Sequence, residues 1–170
     1  MANDLNIKWI RLQEVLNDFA DTFIQIARDN LQANGTNASY DLYNSFQKII
    51  EVGEDSFSVK IQLEDYWKYV EEGRGPGKYP PPDAIRSWIE VKPVVPQADM
   101  NGRTPSVEQL TFLISRKIAE EGTNPQPFFE PAKEEAIRQF EDRISYAIEE
   151  DVSNYILELV QKGMEDAFGR

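Results

Sequence analysis

From Ala132 to Phe168 one side of the sequence stays apolar: Ile137, Phe140, Ile144, Ala147, Ile148, Val152, Tyr155, Ile156, Leu159 and Met164 recur mostly at spacings of three and four. This periodicity predicts an amphipathic helix over 132–168. A helix of ~35 residues is ~50 Å long, more than the width of a small domain. It either kinks near Asp151 to Asn154 or packs part of its length on another molecule. The rest of the chain has to be arranged around it.

A second amphipathic helix is expected over 5–33, where Ile7, Ile10, Val15, Leu16, Phe19, Phe23, Ile24, Ile26 and Leu31 carry the apolar side. The following "NGTN" holds Gly35, a left-handed helix stop. Residues 48–63 then change period. Phe57, Val59, Ile61 and Leu63 alternate with Ser58, Lys60 and Gln62 after the turn-forming "GEDS", which predicts an antiparallel hairpin with one buried face. Burying that face contributes roughly 1.5–3 kcal/mol per large side chain, so Leu63→Asp is expected to unfold the domain.

Residues 66–103 read as a loop with a short helix in "PPPDAIRSWIEV", capped by Asp83 with Ala84, Ile85, Trp88 and Ile89 inward. Lys92 to Arg103 reads as an extended, proline-broken connection. A helix is expected over 104–121, opened by Thr104 and Pro105 and stopped by Gly122, with Leu110, Phe112, Leu113, Ile114 and Ile118 as its apolar side. "TNPQPFFEP" reads as extended. The whole is read as a single α+β domain over 1–170, a small antiparallel sheet packed against long N- and C-terminal helices.

The chain contains neither cysteine nor histidine, which removes disulfides, Cys/His zinc sites, thiol nucleophiles and imidazole-based triads. Thirty acids against 18 bases give a net charge of −12, a surface that does not wrap a nucleic acid backbone. Such a surface suits a channel through which DNA slides without sticking. The N-terminal "MANDLNIKWIRLQEV" lacks the apolar core of a signal peptide, and no apolar run reaches the ~20 residues of a membrane span. A soluble, cytoplasmically made protein is expected.

Residues 73–79, "GRGPGKY", look like a phosphate-binding loop. A Walker loop needs four residues between its glycines and a Ser or Thr after the lysine. Here Gly73 and Gly77 enclose three, Tyr79 follows Lys78, and the prolines beyond supply no N–H groups. The sequence favours a stiff loop without nucleotide. The carboxylate pairs, such as Glu71 with Glu72 and Glu120 with Glu121, fall mostly on expected wet helix faces rather than in a cleft, and no calcium-loop spacing occurs. The aromatics of "YWKYVEEG" and "PFFEP" have almost no bases among them, which favours core or interface packing over nucleobase stacking.

"YDLYNSF" before a hairpin, "YWKYVEEGRGPGKYPPPDAIRSWI", "FLISRKIAEEGT" and "PQPFFEPA" opening a long helix occur in that order. Over about residues 38–140 this set resembles the neck, or tail-completion, proteins of long-tailed bacteriophages, the group of minor tail protein Z-like chains. The matching positions are Tyr69, Val70, Glu71, Gly73, Gly122, Thr123, Pro127, Phe128 and Pro131. The resemblance implies a virion structural protein rather than an enzyme, without cofactor or metal. It implies a homo-oligomeric ring between the head connector or adaptor and the tail terminator or tail tube, with the genome passing through the lumen. Pro127 to Pro131 would set the entry angle of the last helix, and Glu71 and Gly73 would shape the loop beside it. Glu149, Glu150 and Asp151 are candidates for a DNA-repelling lumen. The other readings are a small acidic hydrolase with a carboxylate site and a regulatory binding module, which native size and genes for a portal and a major tail protein alongside would separate from a ring component.

Overall fold

The computed structural model describes residues 7–35, 40–53, 56–91, 96 and 102–168. Leu5, the "ED" of the expected turn, and most of the Lys92–Arg103 connection lie outside them. The elements run α1 (Ile10–Ala33), α2 (Asp41–Asn44), β1 (Gln47–Val52), β2 (Phe57–Gln62), α3 (Trp67–Glu71), α4 (Pro82–Val91), α5 (Val107–Glu121) and α6 (Phe129–Phe168). The fold is α+β, mostly helical, with one two-stranded antiparallel sheet and long helices at both ends. The chain divides into two compact units: Met1–Ala27 with Gln47–Gln62 and Pro131–Arg170, and Arg28–Phe46 with Leu63–Glu130.

In the first unit α1 and α6 make the core. Leu12, Val15 and Leu16 of α1 pack with Phe140 and Ala147 of α6, and Phe19 meets Phe140 edge-on at 5.7 Å. Ala20, Ala27, Ala132 and Ala136 are also buried, small side chains that permit close helix approach. Salt bridges flank the packed seam, Arg143 to Asp18 at 2.6 Å and Arg11 to Glu150 at 3.2 Å; being exposed, they contribute little.

The hairpin pairs Val52 with Phe57, Ile50 with Val59 and Lys48 with Ile61. Ile50, Val52 and Val59 lean on the helical core. The expected fully buried face is corrected here: Phe57 is 41% exposed, with Trp9 edge-on at 5.1 Å, and Val59 and Ile61 are half-buried. Leu63 lies past the end of β2 and is half-buried too. Two short strands cover only part of a helical layer, so the helices hold the core. On the wet face Glu51 accepts hydrogen bonds from Lys60 at 2.7 Å and Ser58 at 3.0 Å.

Helix ends follow local chemistry. Gly35, at φ 64°, stops α1 as its sequence suggests. α5 starts later than expected, because Ser106 forms a capping box: its hydroxyl accepts from the Gln109 amide while its own N–H donates to the Gln109 side chain. α6 starts earlier, at Phe129, and runs for 40 residues as one continuous helical element through Asp151 to Asn154. Pro131 is its third residue, and proline fits the first turn because no intrahelical partner awaits its N–H.

Candidate functional site

The positions that carry the family resemblance gather mainly in one node of the second unit. Two backbone segments meet there. Arg74 and Thr123 exchange backbone hydrogen bonds, at 3.0 Å from the Arg74 N–H and 2.8 Å from the Thr123 N–H. Gly73 and Gly122 flank this bridge at φ 72° and 79°. A Cβ on Gly73 would lie 2.4 Å from the Thr123 carbonyl oxygen, and one on Gly122 would lie 2.1 Å from that of Arg74. Both glycines are required by conformation and by space.

Glu71, at the end of α3, reaches the start of α6. Its Oε2 accepts from the amides of Phe128 at 2.7 Å and Phe129 at 2.8 Å, and its Oε1 accepts from Glu130 at 3.0 Å. The next residue, Pro131, has no N–H. One carboxylate and one proline thus account for the four N–H positions that an α-helix leaves open at its start. The negative charge also sits at the positive end of the helix dipole.

The carbonyls on the other side of this turn are held as well. The Asn30 and Asn34 side-chain amides donate to the carbonyls of Phe128 and Pro127, each at 3.1 Å, and the Gln126 amide donates to the Val70 carbonyl at 2.8 Å. Phe128 is fully buried, edge-on to Phe46 at 6.3 Å, while Trp67 stacks on Phe129 at 4.8 Å. The aromatics of "YWKYVEEG" and "PFFEP" therefore pack on each other through Trp67 and Phe129.

Of the nine matching positions, Tyr69 stands apart: its side chain is 63% exposed. Thr123 and Pro127 act through their backbones and are exposed. The sequence reading missed Asn30 and Asn34; their i, i+4 spacing, one in the last turn of α1 and one just past its end, was the available signal.

The "GRGPGKY" loop directs donors inward. The Arg74 N–H is taken by Thr123 and the Gly77 N–H by the Ala119 carbonyl at 2.8 Å. The Arg74 guanidinium donates to the Lys78 carbonyl at 2.5 Å. Among the described residues no group of three or more Asp or Glu side chains is placed to hold a metal ion, and no helix is long and apolar enough to cross a membrane.

Asp151 requires a correction. It is buried, and its carboxylate accepts from the backbone amides of Arg11 at 3.1 Å and Leu12 at 2.9 Å, capping α1. It is not a lumen-facing acid; Glu149 and Glu150 are exposed.

The helix faces hold a further departure from expectation. In α5 the buried residues are Thr111 and Ser115, whereas Phe112 and Leu113 are 58% and 50% exposed. In α4 Ile89 is buried but Ala84 and Trp88 are exposed. Along α6, among the described residues none beyond Asp151 is buried, and Ile156, Leu157, Leu159, Val160 and Met164 are each about half or more exposed. These elements present large apolar side chains to solvent. No family model, curated protein or solved structure matches this chain.

Proposed function

We propose that this chain is a structural protein of a bacteriophage neck, a ring subunit that joins the DNA-filled head to the tail. The observation that carries the reading is the outward apolar surface on α5 and on the last four turns of α6. Contiguous exposed apolar patches of more than a few hundred Å² mark interaction surfaces. A subunit held between a connector and a tail needs several such surfaces, and a catalyst needs none.

The node around Glu71 supports the same reading. Its hydrogen bonds and paired glycines fix the backbone of the segment that leads into α6, as suits a subunit that bears load. The acidic surface suits a lumen, because a net charge of −12 per subunit, repeated around a ring, repels DNA phosphates. Glu149 and Glu150 remain candidates for that wall. The neighbours would be the head connector or adaptor on one side and the tail terminator or tube on the other.

Electron microscopy of virions, with labelled antibody against this chain, tests the proposal. Density at the head–tail junction is expected, as are tailless heads when the gene is removed. Absence from mature particles overturns it, and so does a packaging defect with normal head–tail joining.

A further inference from the structure

We propose that Asn34 is a site of spontaneous deamidation, and that the new charge opens the contact by which the end of α1 holds the segment leading into α6. Of the chain's asparagines only Asn34 and Asn101 precede a glycine. A glycine successor has no Cβ to hinder attack of its backbone nitrogen on the asparagine side chain. Asn34 and Gly35 form the turn just past α1, and both are exposed to water. A Cβ built on Gly35 would meet nothing within 4 Å, so the turn has room to change shape. Asn30 makes a similar contact through its side-chain amide, but it precedes Leu31 inside the helix.

The step needs only water. The Gly35 nitrogen gives up its proton and bonds to Cγ of Asn34, Cγ releases its own nitrogen as ammonia, and a cyclic imide closes. Water then opens the imide at one carbonyl or the other, which leaves aspartate or isoaspartate at position 34. One water is taken up for each ammonia lost. In the closed turn the Gly35 N–H donates to the Gln32 carbonyl at 3.0 Å, and the Asn34 N–H donates to the Asn30 carbonyl at 2.9 Å. These bonds engage the attacking N–H, so the reaction proceeds through fraying of the helix end, where opening costs least.

The amide that is lost has a partner. Asn34 Nδ2 donates to the carbonyl of Pro127, two residues before α6 begins, at 3.1 Å. A carboxylate in its place has no proton to donate and sets acceptor against acceptor. It also puts a negative charge at the negative end of the α1 dipole, in a helix whose last turn holds no base. Asn30 keeps its hold on the Phe128 carbonyl, so the segment is loosened at Pro127 rather than released.

The test holds the purified full chain at mildly alkaline pH and maps its peptides by mass. Conversion of amide to acid should accumulate at Asn34, partly as isoaspartate, and should take up label from heavy-oxygen water, while Asn30 stays intact. Asn34→Gln, whose larger ring closes slowly, should remove the product. A folded chain that keeps the Asn34 amide after the urea-unfolded chain has lost it overturns the site. For the contact, Asn34→Asp should lower the melting midpoint by about 2–4 °C, and by more than Asn34→Ala, which loses the donor without adding charge. The deamidated fraction, separated by ion exchange, should lose hydrogen-exchange protection at Gln126 and Phe128. An Asn34→Asp midpoint equal to the parent's, or unchanged protection in the deamidated fraction, overturns the opened contact. None of these outcomes depends on whether the chain is found at the phage neck.

Discussion

Asp151 Oδ2 accepts the backbone proton of Leu12 at 2.9 Å, across 139 residues of sequence. The same carboxylate takes the Arg11 amide through Oδ1. Helix α1 thus begins with its cap supplied by α6 rather than by a neighbouring residue. Replacing a capping Asp by Ala costs about 0.5–2 kcal/mol. Asp151→Ala should fall at the upper end, because two amides, that of Leu12 buried and that of Arg11 part-buried, lose their partner, and Asp151→Asn should recover part of the loss. Urea denaturation of the three proteins at neutral pH measures this; equal midpoints would remove the cap from the account.

Glu71→Ala should be more damaging, since three amides at the start of α6 lose one carboxylate. Hydrogen bonds to charged groups contribute about 1.5–3 kcal/mol each, and they do not add simply within one cluster. The expected loss is therefore about 2–4 kcal/mol, with Glu71→Gln intermediate. Hydrogen exchange supplies the sharper readout: protection should drop at Phe128, Phe129 and Glu130 before it drops in the α1–α6 seam.

Gly122→Ala and Gly35→Ala separate space from conformation. Both glycines have positive φ, but a Cβ at Gly35 meets nothing within 4 Å, while one at Gly122 lies 2.1 Å from a backbone oxygen. Gly35→Ala should cost about 1–2 kcal/mol for the left-handed backbone alone. Gly122→Ala should cost distinctly more and break the Arg74–Thr123 bridge. Thermal melting orders the two; a milder effect at Gly122 would mean that the bridge is dispensable.

Phe140→Ala should cost about 3–5 kcal/mol, the usual range for emptying a buried aromatic site. Val59→Ala should cost much less, because the hairpin face is only half-buried. A reversed order would return the core to the sheet.

The Lys60 ammonium, with help from the Ser58 hydroxyl, holds the Glu51 carboxyl below its ordinary value of 4.5. A carboxyl with a lowered folded value stabilises the fold above its unfolded value, and that contribution disappears as pH falls through the folded one. The stability difference between the parent and Lys60→Met should therefore be level above about pH 5 and shrink below ~4.5. The effect is small because the pair is exposed. A difference that grows on acidification would contradict the pairing.

Much of the architecture is legible in the sequence. The apolar stripe of α6, the Gly35 stop and the period-two pattern of Phe57 to Ile61 each reflect a local rule, and local rules need no knowledge of the rest of the chain. The start of α6 was misjudged because "PFFEP" reads as extended, although a proline is compatible with a first helical turn. Glu71 was singled out by resemblance, but its role as a cap was not legible, because no short-range pattern links residue 71 to residue 128. Asp151 was read as one acid among three neighbours for the same reason. The outward turn of Phe112 and Leu113 shows a different limit. Periodicity reports that a helix has an apolar side, and says nothing of whether the covering surface belongs to the same chain.

The cap on Leu12 also imposes an order on synthesis. A ribosome adding 5–20 residues per second needs about 7–30 s to pass from Leu12 to Asp151. For most of that interval the first helix exists without the carboxylate that closes its start or the Phe140 ring that covers its apolar side. The nascent chain therefore holds a sticky, incomplete helix until its final segment arrives. Holdase chaperones have their opening there, and slowing translation before residue 140 should raise the aggregated fraction more than slowing it afterwards.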